Sequence, residues 1–109
     1  MSLKGPLRDK KAYIKTILEP LNVLVQSIRN RTVGDSIAYY EIIWDTPTAD
    51  PHTGDIEIAL MSRFDELLFK IVSESLTSER VVRRVTSRNT RVFFRHTANL
   101  EVSIDTSAI

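Results

Sequence analysis

The residues in this chain best suited to chemistry are six arginines between Glu79 and His96. The segment reads ERVVRRVTSRNTRVFFRH, and its arginines are interspersed with valines and phenylalanines, without a lysine. Arginine carries a planar guanidinium with five donors, is weakly hydrated, and pairs bidentately with carboxylates and phosphates. The segment therefore predicts a contact surface for another protein or for a nucleic acid.

A nucleic-acid surface is one interpretation of this segment. If residues 80–87 and 90–97 pair as a hairpin around Arg88-Asn89, then Arg91, Phe93 and Arg95 share one face of a strand. Cations beside an aromatic ring are typical of sites that bind single strands. The candidates for that function are Arg83, Arg84, Arg88, Arg91, Phe93 and Arg95. The isoelectric point of about 8.1 and the acidic neighbouring segment argue against it.

A purely structural interpretation is that Phe93 packs beneath a helix while its arginines pair with Asp65, Glu66 or Glu74. A third interpretation is a protein interface, because arginine and aromatic residues are enriched at interface cores and lysine is depleted. Three large side chains on one predicted strand support it. The interface candidates are Tyr39, Tyr40, Trp44, Arg91, Phe93 and Arg95.

Charge is strongly segregated along the chain, although the net charge is only +1. Residues 1–40 carry a balance of +4, residues 41–76 a balance of −6 and residues 77–109 a balance of +3. Internal pairing is one explanation. Two faces of opposite sign is the other, and it favours self-association or two distinct partners.

The sequence offers little support for catalysis or metal binding. Four residues between positions 45 and 55 are weak candidates for a cation site: Asp45, Asp50, His52 and Asp55. Their spacing lacks the order of an EF-hand, and aspartates are ordinary turn residues. There is no cysteine, no nucleophile motif and no glycine-rich phosphate loop. We therefore expect no enzyme activity, no cofactor and no metal.

Composition predicts an ordinary globular domain, at 109 residues, 42% hydrophobic and 27% charged. No apolar run approaches the roughly 18–20 residues that span a bilayer, and the first residues lack a signal-peptide core. We expect no membrane partner and an intracellular, cytoplasmic location, or a virion if the protein is viral.

The elements of the first half are predicted from hydrophobic spacing. Residues 1–6 are expected to be an extension, and residues 7–30 a helix interrupted by Pro20. Residues 36–44 alternate as a strand whose inner face holds Ala38, Tyr40, Ile42 and Trp44. Residues 45–55 are expected to form a long surface loop.

The apolar spacing of the second half fits more than one type of element. Residues 56–61 fit a strand or a helix, and a capping pattern at Ser62 and Asp65 favours the strand. Residues 63–76 are predicted to be a helix. After the hairpin, for which a short helix at 79–85 competes, Ala98-Asn99 is the predicted turn into a strand at 100–104.

Together these elements predict an α+β fold. We expect a single small domain with a mostly antiparallel sheet of four to five strands and two main helices on one face. The function that we expect is non-enzymatic assembly, by homo-oligomerisation or by docking to other protein subunits, for which a phage or viral structural component is one setting. A nucleic-acid-binding module is the alternative.

Overall fold

The computed structural model describes residues 10–33, 37–64 and 66–104. This part of the chain forms two helices and five strands. In chain order these are α1 (Lys11–Leu18), β1 (Leu24–Val33), β2 (Ile37–Thr46), α2 (Thr53–Arg63), β3 (Leu67–Ile71), β4 (Thr77–Arg84) and β5 (Thr90–Ile104). Short 3₁₀ turns at Glu19–Leu21 and Ser73–Ser75 follow α1 and β3.

The central strand of the sheet is β5. On one edge it pairs with β2 through residues 94–103, and β1 pairs with the outer edge of β2. On the other edge β5 pairs first with β4, through residues 90–97, and then with β3, through residues 100–104. All of these pairs are antiparallel. The predicted α+β class, a single small domain with two helices on a five-stranded sheet, is confirmed.

The core lies between the helices and one face of the sheet. α1 contributes Ile14 and Leu18, α2 contributes Ile56 and Leu60, and all four side chains are fully buried. They pack against the alternating inner residues of β2 and β5, which are Ala38, Tyr40, Ile42, Trp44, Ala98, Leu100 and Val102. The predicted inner face of the strand at 36–44 is therefore confirmed. The described residues contain no helix both long and apolar enough to cross a membrane.

The predicted helix over residues 7–30 is wrong beyond its first turns. α1 ends at Leu18, and Asn22 has a left-handed backbone with φ of 58° that directs the chain into β1. β1 has irregularities between Val25 and Ser27 and between Asn30 and Thr32. The first one places Val25 and Ile28 on the same face although they are three residues apart, which imitates helical spacing. Residues 1–9, which include the predicted extension at 1–6, lie outside the described residues.

Of the two types left open for residues 56–61, the helix is the one present and the favoured strand is wrong, and the predicted helix at 63–76 is also wrong. Residues 56–61 belong to α2, and Ile58, which a strand would have used, is 66% exposed. The predicted helix at 63–76 contains β3, where Leu67 is buried and Leu68 is 43% exposed. The apolar spacing in this segment fits the period of a helix and also that of a strand. Pairing with the edge of β5 stabilises the strand. Ser62 donates a hydrogen bond to the carbonyl of Ala59 inside α2, and does not begin a helix.

The predicted hairpin around Arg88-Asn89 is confirmed, and the competing helix at 79–85 is excluded because those residues belong mostly to β4. The predicted turn at Ala98-Asn99 is wrong, since β5 is continuous there. Asn99 pairs with neither β4 nor β3, because it lies between the parts of β5 that pair with each of them. Its amide donates to Ser75 Oγ at 2.8 Å, and its carbonyl accepts from the amide of Val72 at 2.9 Å.

Candidate interaction site at the arginine-rich hairpin

The hairpin of β4 and β5 extends past the rest of the sheet. The last pair between β2 and β5 joins Thr46 to Phe94, and beyond it β5 pairs only with β4. We call this extension, residues 81–93, the arm. The molecule measures 55 × 24 × 22 Å, and its radius of gyration of 14.9 Å exceeds the value of about 13 Å typical of a compact chain of this length.

The end of the arm is closed by local hydrogen bonds. The amide of Val85 donates to the carbonyl of Asn89 at 2.9 Å, and the amide of Asn89 donates to Thr86 Oγ1 at 3.0 Å. The amide of Arg88 donates to the same hydroxyl at 3.3 Å. The Thr86 hydroxyl thus accepts hydrogen bonds from two backbone amides of the turn, which have no partner on a neighbouring strand.

The arm has two different faces, because cross-strand partners point to the same side of a sheet. On one side Val81 lies opposite Phe93 and Arg83 lies opposite Arg91, and we call this the arginine face. On the other side Val82 lies opposite Val92, and we call this the valine face. Val82 is 53% exposed and Val92 is 39% exposed. The valine face continues the core side of the sheet past the last residues that the helices cover.

Three guanidiniums surround Phe93 on the arginine face. Their central carbons lie 5.8 Å (Arg83), 5.9 Å (Arg91) and 5.6 Å (Arg95) from the centroid of the ring. This confirms that Arg91, Phe93 and Arg95 share a face. Phe93 is only 8% exposed, although no helix lies over it, so the arginine side chains cover it. We call these four residues the arginine cluster.

Arg95 is the member of the cluster that has a carboxylate partner. Its Nε donates to Asp45 Oδ1 at 2.9 Å, and its Nη2 donates to Asp45 Oδ2 at 3.0 Å. Gln26 Nε2 donates to the same Oδ2 at 3.0 Å. These hydrogen bonds to Asp45 raise the pKa of Arg95 above its ordinary value. The bidentate geometry fixes Arg95 and neutralises its charge.

The other two arginines of the cluster are not neutralised. Arg83 and Arg91 have no carboxylate of a described residue within 4.0 Å, and they lie directly opposite each other. Of the predicted structural partners, Glu66 and Glu74 pair with no described arginine, and Asp65 lies outside the described residues. Among the described residues, the ion pair that joins the acidic middle segment to the basic C-terminal segment is the one between Arg95 and Asp45.

A groove of about 640 Å³ lies beside the arm. One wall is formed by the arm, including Arg83, Arg91 and Phe93. The opposite wall is formed by α1, the 3₁₀ turn after it and the start of β1, and it includes Lys15 and Glu19. Among the lining residues, four are basic and two are acidic, and one of the acidic residues is the neutralised Asp45. The groove is therefore suited to an anionic ligand.

The structure separates the remaining predicted interface and nucleic-acid residues. Tyr40 and Trp44 are fully buried in the core, and Trp44 Nε1 donates to the carbonyl of Pro51 at 2.9 Å, so neither offers a partner any accessible surface. Tyr39 is 36% exposed on the opposite face of the sheet. Arg84 points to the valine face, opposite Thr90, and Arg88 lies in the turn.

The weak cation candidates do not form one cluster. The predicted loop at 45–55 is shorter than expected, because β2 ends at Thr46 and α2 begins at Thr53. Asp45 is occupied by Arg95, whereas Asp50, His52 and Asp55 lie together around the loop at 47–52. His52 Nδ1 lies 3.3 Å from Asp55 Oδ2, and the amide of His52 donates to Asp50 Oδ1 at 2.9 Å. Among the described residues no group of three or more histidine, aspartate or glutamate side chains is arranged to hold a metal ion.

A buried polar network at the base of the hairpin was not anticipated from the sequence. His96 is fully buried against Trp44, with its Nε2 2.7 Å from Thr46 Oγ1 and its Nδ1 2.6 Å from Ser78 Oγ. The Thr46 hydroxyl donates to the carbonyl of Thr48, so it accepts from Nε2, which therefore carries a proton. Burial lowers the pKa of His96 below 6.5, which favours the neutral imidazole, and in that form Nδ1 accepts from Ser78 Oγ.

Lys15, Glu19 and Gln26 are further site residues that sequence reasoning missed. Hydrophobic spacing predicts one long helix for all three, and only the turn at Asn22 brings the two halves of that segment to the groove. The partners of His96 are 50 and 18 residues away, so no local pattern indicates them.

Comparisons with protein-family models, with curated protein sequences and with solved structures found no match to this chain.

Proposed function

We propose that this protein is a non-enzymatic assembly protein that self-associates or docks into a larger complex through its arm. The observation that carries the proposal is that residues 82–92 are exposed on both faces of the hairpin. A two-stranded hairpin without a covering layer is at best marginally stable in water. Contact with a partner supplies the missing layer.

The valine face supports a protein partner. Val82 and Val92 are adjacent, exposed and in line with the buried inner face of the sheet. Covering a valine side chain fully contributes about 1.5–3 kcal/mol, so burial of both residues is a substantial driving force. A nucleic acid offers little apolar surface for this side of the arm.

The unpaired charges support a partner with exposed carboxylates. Arg83 and Arg91 carry charges that no described carboxylate neutralises. Asp50, in the loop after β2, and Asp55, in the first turn of α2, have side chains that are 67% and 61% exposed. In a homo-oligomer, the arm of one chain would contact these aspartates of the next chain, and electrostatic complementarity would select this arrangement.

A charge-swap experiment tests the self-association form of the proposal. One variant carries Arg83→Glu with Arg91→Glu, and the other carries Asp50→Lys with Asp55→Lys. We expect each variant alone to be monomeric under conditions where the native chain associates, and an equimolar mixture to associate again. The readout is sedimentation velocity, with circular dichroism to verify that each variant is folded.

The matched control is Arg29→Glu with Arg31→Glu, which makes the same charge change on exposed residues of β1. We expect this control to associate as the native chain does. Equal loss of association in the control would mean that net charge, and not the arm, governs the behaviour. That result would contradict the proposal.

Nucleic-acid binding is the alternative, and the unpaired arginines of the arm support it. It would use Arg83, Arg84, Arg88, Arg91, Phe93 and Arg95. Base stacking requires an open aromatic face, whereas Phe93 is 8% exposed beneath three guanidiniums. Fluorescence anisotropy with a labelled single-stranded oligonucleotide tests it, and the alternative predicts binding that weakens steeply as salt rises.

A further inference from the structure

We propose that the groove beside the arm binds an extended acidic segment of a protein partner, which adds as a strand to the open edge of β5. The inference rests on the proposed function, because it specifies the chemistry of what the arm docks to. It draws on three features of the groove: an unpaired strand edge, uncompensated positive charge and two faces of different polarity.

The first feature is the edge of β5 from Thr90 to Phe93. β2 stops at its pair between Thr46 and Phe94, so these four residues pair with β4 on one side only. No hydrogen bond from a described residue reaches their other edge. An open strand edge presents a row of backbone donors and acceptors that an extended chain can pair with.

The second feature is the charge of the groove. Lys15, Arg83 and Arg91 line it without a carboxylate partner among the described residues, and Arg95 is neutralised by Asp45. Glu19 is the opposing charge in the lining. The balance favours a segment that carries carboxylates.

The third feature is the alternation of the arm. A strand added beside Thr90–Phe93 would place residues next to Arg91 and Phe93 on the arginine face, and residues next to Val92 on the valine face. Carboxylates fit the first set and aliphatic side chains fit the second. The partner segment is therefore expected to alternate acidic and aliphatic residues. A single-stranded nucleic acid could use the charges but neither the strand edge nor the valine face.

The test uses the full chain, labelled with ¹⁵N, and a short capped peptide of alternating glutamate and valine. We expect chemical-shift changes and slowed hydrogen exchange centred on the amides of residues 90–93. Arg83→Glu with Arg91→Glu should weaken binding by at least about tenfold, because two facing charges are reversed. Arg80→Glu with Arg84→Glu, the same charge change on the other side of β4, should weaken it by less than about threefold.

A second peptide, with the same side chains but with alternate amides N-methylated, separates strand addition from simple charge attraction. Equal binding of the two peptides would overturn the inference, as would an absence of shifts at residues 90–93 at saturating peptide. Tighter binding of a single-stranded oligonucleotide that displaces the peptide would also overturn it. If the chain self-associates through the arm but binds no peptide, the proposed function stands and this inference alone fails.

Discussion

Arg83 and Arg91 face each other across the β4–β5 hairpin as a directly opposed pair of like charges. Such pairs destabilise a sheet by roughly 0.2–1 kcal/mol, and Asp45 neutralises only their neighbour Arg95. The chain therefore retains an unfavourable arrangement at the exposed end of its longest strand. A carboxylate partner placed between the two guanidiniums would convert this repulsion into attraction.

A double-mutant cycle measures this repulsion directly. We expect Arg83→Gln and Arg91→Gln to show an unfavourable coupling energy between the native arginines of about 0.2–1 kcal/mol in urea unfolding of the monomer. The cycle cancels the contact that each arginine separately makes with Phe93. The control cycle pairs Arg84→Gln with Arg91→Gln, which lie on opposite faces, and should show no coupling. A favourable coupling between Arg83 and Arg91 would contradict this account.

The Arg95–Asp45 pair is predicted to contribute to the stability of the fold. Asp45→Asn keeps the shape but removes the charge that accepts two hydrogen bonds from Arg95. We expect a loss of about 1–2 kcal/mol in the free energy of unfolding, at the low end for charged hydrogen bonds because Arg95 is partly exposed. Glu66→Gln, at an exposed site where the carboxylate forms no ion pair with a described residue, is the control and should change stability by less than about 0.5 kcal/mol. Equal losses of unfolding free energy in the two variants would contradict the prediction that the Arg95–Asp45 pair stabilises the fold.

The lowered pKa of His96 predicts that the folded chain loses stability at mildly acidic pH. Burial lowers its pKa in the folded chain, so below the ordinary value of 6.5 the unfolded chain binds one more proton than the folded chain. Stability should therefore be fully present above pH 6.5 and should fall as the pH decreases toward the folded pKa, by at most about 1.4 kcal/mol per pH unit. NMR titration of the His96 imidazole in the native chain measures the pKa. Titration of His96 above 6.5 would contradict the network.

The exposed valines are predicted to matter for association and not for folding. Val82→Thr with Val92→Thr should leave the unfolding free energy of the monomer within about 0.5 kcal/mol, because both side chains are exposed. It should weaken association by about tenfold, which corresponds to partial burial of two side chains. Ile58→Thr, on the exposed face of α2, is the matched control. Sedimentation equilibrium measures the association, and urea unfolding of the dilute monomer measures the free energy of unfolding. Unchanged association in the valine variant would remove the valine face from the interface.

The parts of the fold that followed from sequence are those where local and tertiary preferences agree. The alternation from Ala38 to Trp44 matches a strand whose single inner face is buried, and Arg88-Asn89 separates two runs that pair as a hairpin. The arrangement of Arg91 and Phe93 on one face followed from the same period of two.

The wrong predictions fall where the apolar spacing fits both a helix and a strand, or where contacts between residues far apart in the chain determine the structure. The irregularity after Val25 moves Ile28 onto the core face, so a strand presents the spacing of a helix. Leu68 fits a helical stripe, yet pairing of β3 with β5 leaves it exposed. The partner of Arg95 lies 50 residues away, and the groove depends on where β2 stops, which no local pattern indicates.

The most direct test of the assembly proposal is light scattering after size exclusion of the native chain at low and high salt, with Arg83→Glu/Arg91→Glu beside it. Charges at the arm are exposed, so salt should screen them. We predict an oligomer at low salt that weakens at high salt and is absent in the variant. A native chain that is monomeric at both salt concentrations, even when concentrated, would contradict self-association through the arm.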